Sequence, residues 1–208
     1  MSPGRASSAQ IWLTLVLASG LWFFAFRLGG PSFWIKISLS AALLALSAFL
    51  FQPGLLGSIR PGLKTIWLGL FSALTLYLIF WLGRRISILL FPFASDQIGG
   101  IYGLGPDFDP RLVPFLLFFV TGPAEEIYWR GFLQGQLTTR FGGAKAWLLA
   151  TALYAGVHLW TWNFMLIGAA AVAGAFWGWM YWRYNDLAAN IISHSVWTAV
   201  VFSFLPLH

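Results

Sequence analysis

Seven stretches of this chain run for about twenty residues with few or no charges, the length a helix needs to cross roughly 30 Å of hydrocarbon. They cover approximately 9–28, 33–51, 65–83, 111–137, 145–161, 163–182 and 187–205. Inside a bilayer every backbone N–H and C=O must be satisfied by the protein, which leaves helices or closed barrels. Runs of this length select helices. The expected fold is all-α, a polytopic transmembrane helical bundle of about seven spans. It forms one integral membrane domain over residues 1–208, with a functional core at about 111–205. Of the 208 residues, 59% are hydrophobic and 9% charged, against roughly 25% charged in soluble domains. Too little polar surface exists here to cover a water-soluble globule.

The first run, IWLTLVLASGLWFFAF, follows Arg5 as a signal peptide would. Its apolar part is long for that role and no A-x-A site follows it, so it reads as a retained span. Pro53, Gly54, Pro61 and Gly62 make 52–64 a loop or short interfacial segment. The longest connection, 84–110, begins with RRISILLF, which suits a short interfacial helix, and continues as the turn-rich IGGIYGLGPDFDP. RFGGAK (140–145) reads as a tight turn, and Arg183-Tyr184-Asn185-Asp186 as a solvated one. His208, the terminal residue, is expected to be exposed.

No cysteine occurs, which excludes disulfides, thiolate metal sites and cysteine nucleophiles. The net charge is +6. The basic residues stand singly or in pairs at the ends of apolar runs, as topology signals beside anionic lipid do, and nucleic acid is not an expected partner. With the N-terminus inside, Arg5, Arg60, Lys64, Arg140, Lys145 and Arg183 face the cytoplasm, and Arg27, Lys36, Arg84, Arg85 and Arg111 the other side. That near balance sets no orientation.

Against this background a few residues are out of place. Glu125, Glu126 and Arg130 lie in the fourth run, His158 in the fifth and His194 in the seventh. A charge at mid-membrane costs at least about 2.5–3.5 kcal/mol, so such groups face one another or a wet cavity and mark function. Glu126 and Arg130 are four apart and share a helix face, which suits an ion pair. Glu125 is turned about 100° from Glu126 and faces something else. Pro123 has no N–H for the preceding turn and loosens the helix just before the pair. One glutamate is thus neutralised and the other is available for proton transfer.

A glutamate beside a histidine can activate water and carry a proton to a leaving amine, and a second histidine can steady a developing oxyanion. Thr198 and Asn190 stand four residues to either side of His194 and share its stripe. A His₂Glu zinc site built from Glu125, His158 and His194 is the alternative. No His-Glu-x-x-His helix occurs and Arg130 disfavours a cation, so metal-free glutamate chemistry is expected, with no cofactor.

Three segments carry a resemblance. GPAEEIYWRGFLQGQL is similar to the Glu-Glu-x-x-x-Arg motif of the CAAX-protease and bacteriocin-processing (CPBP, or Abi) family, which includes the type II CAAX-prenyl endopeptidases. LLATALYAGVHLW resembles its second motif, an aromatic residue four positions before a histidine. RYNDLAANIISHSVWTAV resembles the last, a histidine after an Asn-Leu stretch. The resemblance covers about 115–200 and implies an intramembrane endopeptidase acting on a membrane-associated protein or peptide. It implies water activation by Glu125 and His158, oxyanion stabilisation by His194, and support from Glu126 and Arg130. Tyr154 stands where phenylalanine is usual, and Thr198 where an asparagine is expected. Either Thr198 or Asn190 is then expected to complete the oxyanion site. A bacterial cytoplasmic membrane is the expected location. The competing readings are a proton-coupled carrier, which also places such groups at mid-membrane, and a non-catalytic chaperone or immunity partner on the same scaffold.

Overall fold

The computed structural model describes residues 6–207; Arg5 and His208 lie outside them. Every regular element among the described residues is helical. Ser7 opens α1 (Ser8–Arg27) with a reciprocal capping box to Gln10. α2 (Phe33–Phe51) follows, then a 3₁₀ turn over Pro53–Ser58, where the sequence places a loop. α3 (Leu63–Leu90) runs past the expected end at 83 and takes in Arg84 and Arg85. The segment RRISILL is therefore the last turns of a long helix and not a separate one. α4 (Ala94–Tyr102) takes in the first five residues of what reads as a turn-rich loop, and its Ile98, Ile101 and Tyr102 line one cavity.

Residues 113–141 form one unbroken helix, α5, in which two stretches, Leu117–Thr121 and Ile127–Gln134, are π-wound. They flank Gly122–Glu126, and Pro123 is the physical reason, because a residue without an N–H cannot continue the i→i−4 ladder. Gly142, at φ 81°, ends α5 and lets α6 (Gly143–Val157) start at once. A 3₁₀ turn, His158–Thr161, leads to α7 (Phe164–Tyr184), and Asn185 in the left-handed region turns the chain into α8 (Leu187–Phe204).

Five helices, α1, α2, α3, α7 and α8, are long and apolar enough to cross a membrane. α5 and α6, which carry the motif glutamates and lead into His158, are the two expected spans that do not meet that description; α5 holds Glu125, Glu126 and Arg130 in its middle, and α6 is only 15 residues long. Their outward and inward faces are sorted as lipid requires. On α2, Leu39, Leu43, Leu46 and Leu50 point out, while Ser38, Ala41, Ala45 and Ala48 are buried. Small residues inside let backbones approach closely where no hydrophobic drive exists between helices in lipid.

α5 is central, packed by α2, α6 and α8, while α3 lies along α8, α7 along α6 and α1 along α2. The α5–α8 crossing depends on Gly122, where an added Cβ would sit 2.8 Å from Ser195 Oγ and 2.9 Å from Ser195 Cα. Part of that clash is with backbone, so it cannot be relieved by a rotamer change. Gly122→Ala is expected to destabilise the protein by about 1–3 kcal/mol. A lowered midpoint for thermal unfolding in detergent would show it, and an unchanged midpoint would mean that α5 and α8 are not held this closely.

Candidate active site

The site is built in two layers around α5. The inner layer centres on Glu126, whose side chain has no exposure. Its Oε1 accepts from Arg130 Nη1 at 2.9 Å, one turn further along, and from His194 Nδ1 at 2.7 Å, across on α8. Since the carboxylate can only accept, Nδ1 of His194 is the donor. Oε2 accepts from Asn190 Nδ2 at 3.2 Å. The same amide nitrogen donates to the Trp177 carbonyl at 2.8 Å, and Arg130 Nη2 reaches the Gly174 carbonyl at 3.4 Å. Trp177 stacks on the His194 ring with 3.9 Å between centroids and 15° between planes. Its own indole N–H is held by Ser193 Oγ. His194 is thus fixed by one hydrogen bond and one ring face, with Nε2 on the opposite edge.

The outer layer holds Glu125, which the helical turn points away from Arg130. Its Oε2 accepts from the Tyr154 hydroxyl at 2.8 Å. The Tyr154 carbonyl accepts from His158 Nδ1, also at 2.8 Å. That bond places the His158 proton on Nδ1 and leaves Nε2 as an acceptor, which Trp22 Nε1–H meets at 3.3 Å. Glu125, Tyr154, His158, His194 and Thr198 line one cavity of about 510 Å³, whose remaining wall is largely apolar and comes from α1, α2, α3, α4, α5, α7 and α8.

Glu125 on α5, His158 on the 3₁₀ turn after α6 and His194 on α8 therefore share one cavity. Glu126 and Arg130 pair behind it. The two candidates for a further oxyanion donor are placed otherwise. Thr198 lines the cavity, but its hydroxyl donates back to the His194 carbonyl at 2.8 Å. Asn190 lies behind the site with its amide N–H groups directed at Glu126 and Trp177. It supports His194 through their shared carboxylate partner. Both outcomes follow from helix geometry: a threonine hydroxyl inside a helix finds the carbonyl one turn back, and Asn190 is a full turn from His194 toward Arg130.

Trp22, Trp177 and the Tyr154 hydroxyl are contacts that motif reading does not reveal. Tyr154 carried a signal as a departure from the usual phenylalanine. Trp22 carried none, being one of 13 tryptophans and 136 positions from its partner. As for a metal, a three-ligand set needs three lone pairs aimed at one point. His194 Nδ1 is spent on Glu126 and both nitrogens of His158 are engaged. Among the described residues no group of three or more His, Asp or Glu side chains is assembled to hold an ion.

Residues 108–200 match the family described as type II CAAX prenyl endopeptidase Rce1-like. No curated protein and no solved structure matches the chain.

Removing one partner from the inner layer leaves an uncompensated charge in a fully buried place. Arg130→Ala is expected to destabilise the protein by about 3–5 kcal/mol. Its yield and thermal midpoint in detergent should fall well below those of an exposed control such as Arg85→Ala; equal values would mean that the Glu126 charge is not held by Arg130.

Proposed function

We propose, from the match of residues 108–200 to the family described as type II CAAX prenyl endopeptidase Rce1-like, that this chain is an intramembrane endopeptidase in which Glu125, His158 and His194 act on a scissile peptide bond. The single observation that carries this reading is the cavity they share, on whose wall Glu125, the one carboxylate there among the described residues, stands outside any ion pair. The described residues 6–207 form one membrane domain in which α5 and α6 complete a set of seven spans. α5 is long enough to cross at 1.5 Å per residue, and its charges are turned inward.

Glu125 Oε1, the oxygen not engaged by Tyr154, holds the attacking water. As the water's oxygen bonds to the carbonyl carbon, Glu125 takes its proton and the carbonyl π pair moves onto oxygen. His158 offers its Nε2 lone pair, shared at rest with Trp22, to the water's other hydrogen. His194, donating from Nδ1 to Glu126 and protonated also at Nε2, faces the oxyanion. When the tetrahedral intermediate collapses, the C–N bond breaks and the proton on Glu125 passes to the leaving amine. No metal is required at any step. The substrate is a membrane-associated protein or peptide, because a cavity walled by side chains from all eight helices, mostly apolar, favours an apolar or lipid-modified segment.

The test is turnover by purified protein in nanodiscs with two fluorophore–quencher probes, an apolar single-span peptide and a prenylated C-terminal peptide. Cleavage of either is expected, insensitive to a strong chelator. Glu125→Gln, His158→Ala and His194→Ala should each lose about 100- to 10,000-fold in kcat while inserting normally. Full turnover by any of the three removes that residue from the mechanism. Solute flux into vesicles that depends on Glu125, with no proteolysis, would instead make the protein a carrier.

A further inference from the structure

One donor does not hold an oxyanion well; the cavity wall also carries the Arg84 guanidinium and the Trp197 indole N–H, but neither is bonded to Glu125, and other donors are committed elsewhere. The Thr198 hydroxyl is spent on the His194 carbonyl, and the Asn190 amide is spent behind the site on Glu126 and Trp177. Thr121 Oγ1 is paired with Ser38 Oγ at 2.9 Å. The Tyr154 hydroxyl is different. It is an O–H donor already lying on the reacting carboxylate, 2.8 Å from Glu125 Oε2. We propose that Tyr154 is a further catalytic residue of this chain, its hydroxyl supplying the second oxyanion donor that neither Thr198 nor Asn190 provides.

The inference rests on the endopeptidase reading and deepens it. At rest Tyr154 O–H donates to the Glu125 carboxylate. Once Glu125 has taken the proton from water, it is a neutral acid and a weaker acceptor, while a full negative charge has formed on the former carbonyl oxygen nearby. The hydroxyl moves to the stronger acceptor. It returns to Glu125 when the C–N bond breaks, the carbonyl reforms and the carboxyl proton leaves with the amine. No proton leaves Tyr154 in the cycle, so atoms and charge balance as in simple hydrolysis.

Three packing features hold the phenol ready for this. The Arg130 guanidinium lies over the ring, 4.7 Å from its centroid, and draws electron density from it, which strengthens the O–H as a donor. Trp129 meets the ring edge-on at 5.2 Å. Gly174 on α7 gives the ring its place, since a Cβ there would come within 2.9 Å of Tyr154 Cδ1. Two departures from the usual motif pattern, tyrosine at 154 and threonine at 198, thereby become one exchange: a donor lost from α8 and regained from α6.

The test uses the full chain in nanodiscs and two peptides of one sequence, an amide and its phosphonate analogue, which mimics the tetrahedral oxyanion. Tyr154→Phe keeps the ring and its contacts. It should weaken phosphonate binding about 100-fold, leave amide binding within a factor of two, and lower kcat about 100-fold with KM unchanged. Thr198→Asn, whose amide reaches beyond the backbone carbonyl, should restore at least a tenth of the lost phosphonate affinity and kcat when added to Tyr154→Phe. Phosphonate binding that is equal in wild type and Tyr154→Phe overturns the proposal. So does a fall in kcat that Thr198→Asn fails to restore, which would make Tyr154 only a positioning residue for Glu125. A wild-type protein that binds the phosphonate more tightly than the amide yet cleaves neither fluorescent probe would fail the endopeptidase reading and leave the donor assignment supported.

Discussion

A carboxylate with no exposure to solvent holds this bundle together at its centre. Taking Glu126 out of water costs several kcal/mol even after relaxation, and that cost is offset only because three donors from two helices converge on its two oxygens. Arg130 brings the countercharge from the same helix. His194 and Asn190 bring α8 into register, since a rotation of α8 by one residue would carry both off the carboxylate. The interaction that makes a buried charge tolerable is thus the one that aims His194 at the cavity.

The neighbouring glutamate shows why two adjacent acids do not share one role. Glu126 is saturated with donors, and its lone pairs are committed to structure. Glu125 has a single donor, Tyr154, and stands on the cavity wall beside two imidazoles. The π-wound turns on either side bracket the short α-wound segment Gly122–Glu126, which holds Pro123 and carries both acids. The aromatic residues finish the arrangement. Trp177 covers one face of His194, and Trp22 and the Tyr154 carbonyl take the two nitrogens of His158. Rings suit this work in lipid, as they present one polar atom on a large apolar body and lose little conformational freedom on packing.

The residues that gather at the candidate site were mostly legible as motif residues, and five of the expected spans as apolar runs. The Glu126–Arg130 pair could be read at once because four residues along a helix is a local distance, fixed by 3.6 residues per turn. The extended α3 and the helix at Ala94–Tyr102 were less legible: Arg84, Arg85 and paired glycines resemble the end of a helix when no neighbour is considered, and only packing around the cavity keeps these segments helical.

By itself, then, the sequence determined that the chain is helical and bound for a membrane, that five ionisable residues must find one another there, and that residues 108–200 carry protease motifs. Tertiary structure alone decided which oxygen meets which donor: that His194 rests on Glu126, that Asn190 stands behind the site, that Thr198 turns back on its own helix and that Trp22 reaches His158 from the far end of the chain. The reason is physical. Periodicity fixes directions within one helix, whereas the rotation of one helix against another is set by close contacts such as Gly122 on Ser195 and Gly174 on Tyr154, between residues that lie too far apart in the chain for any local pattern to relate them.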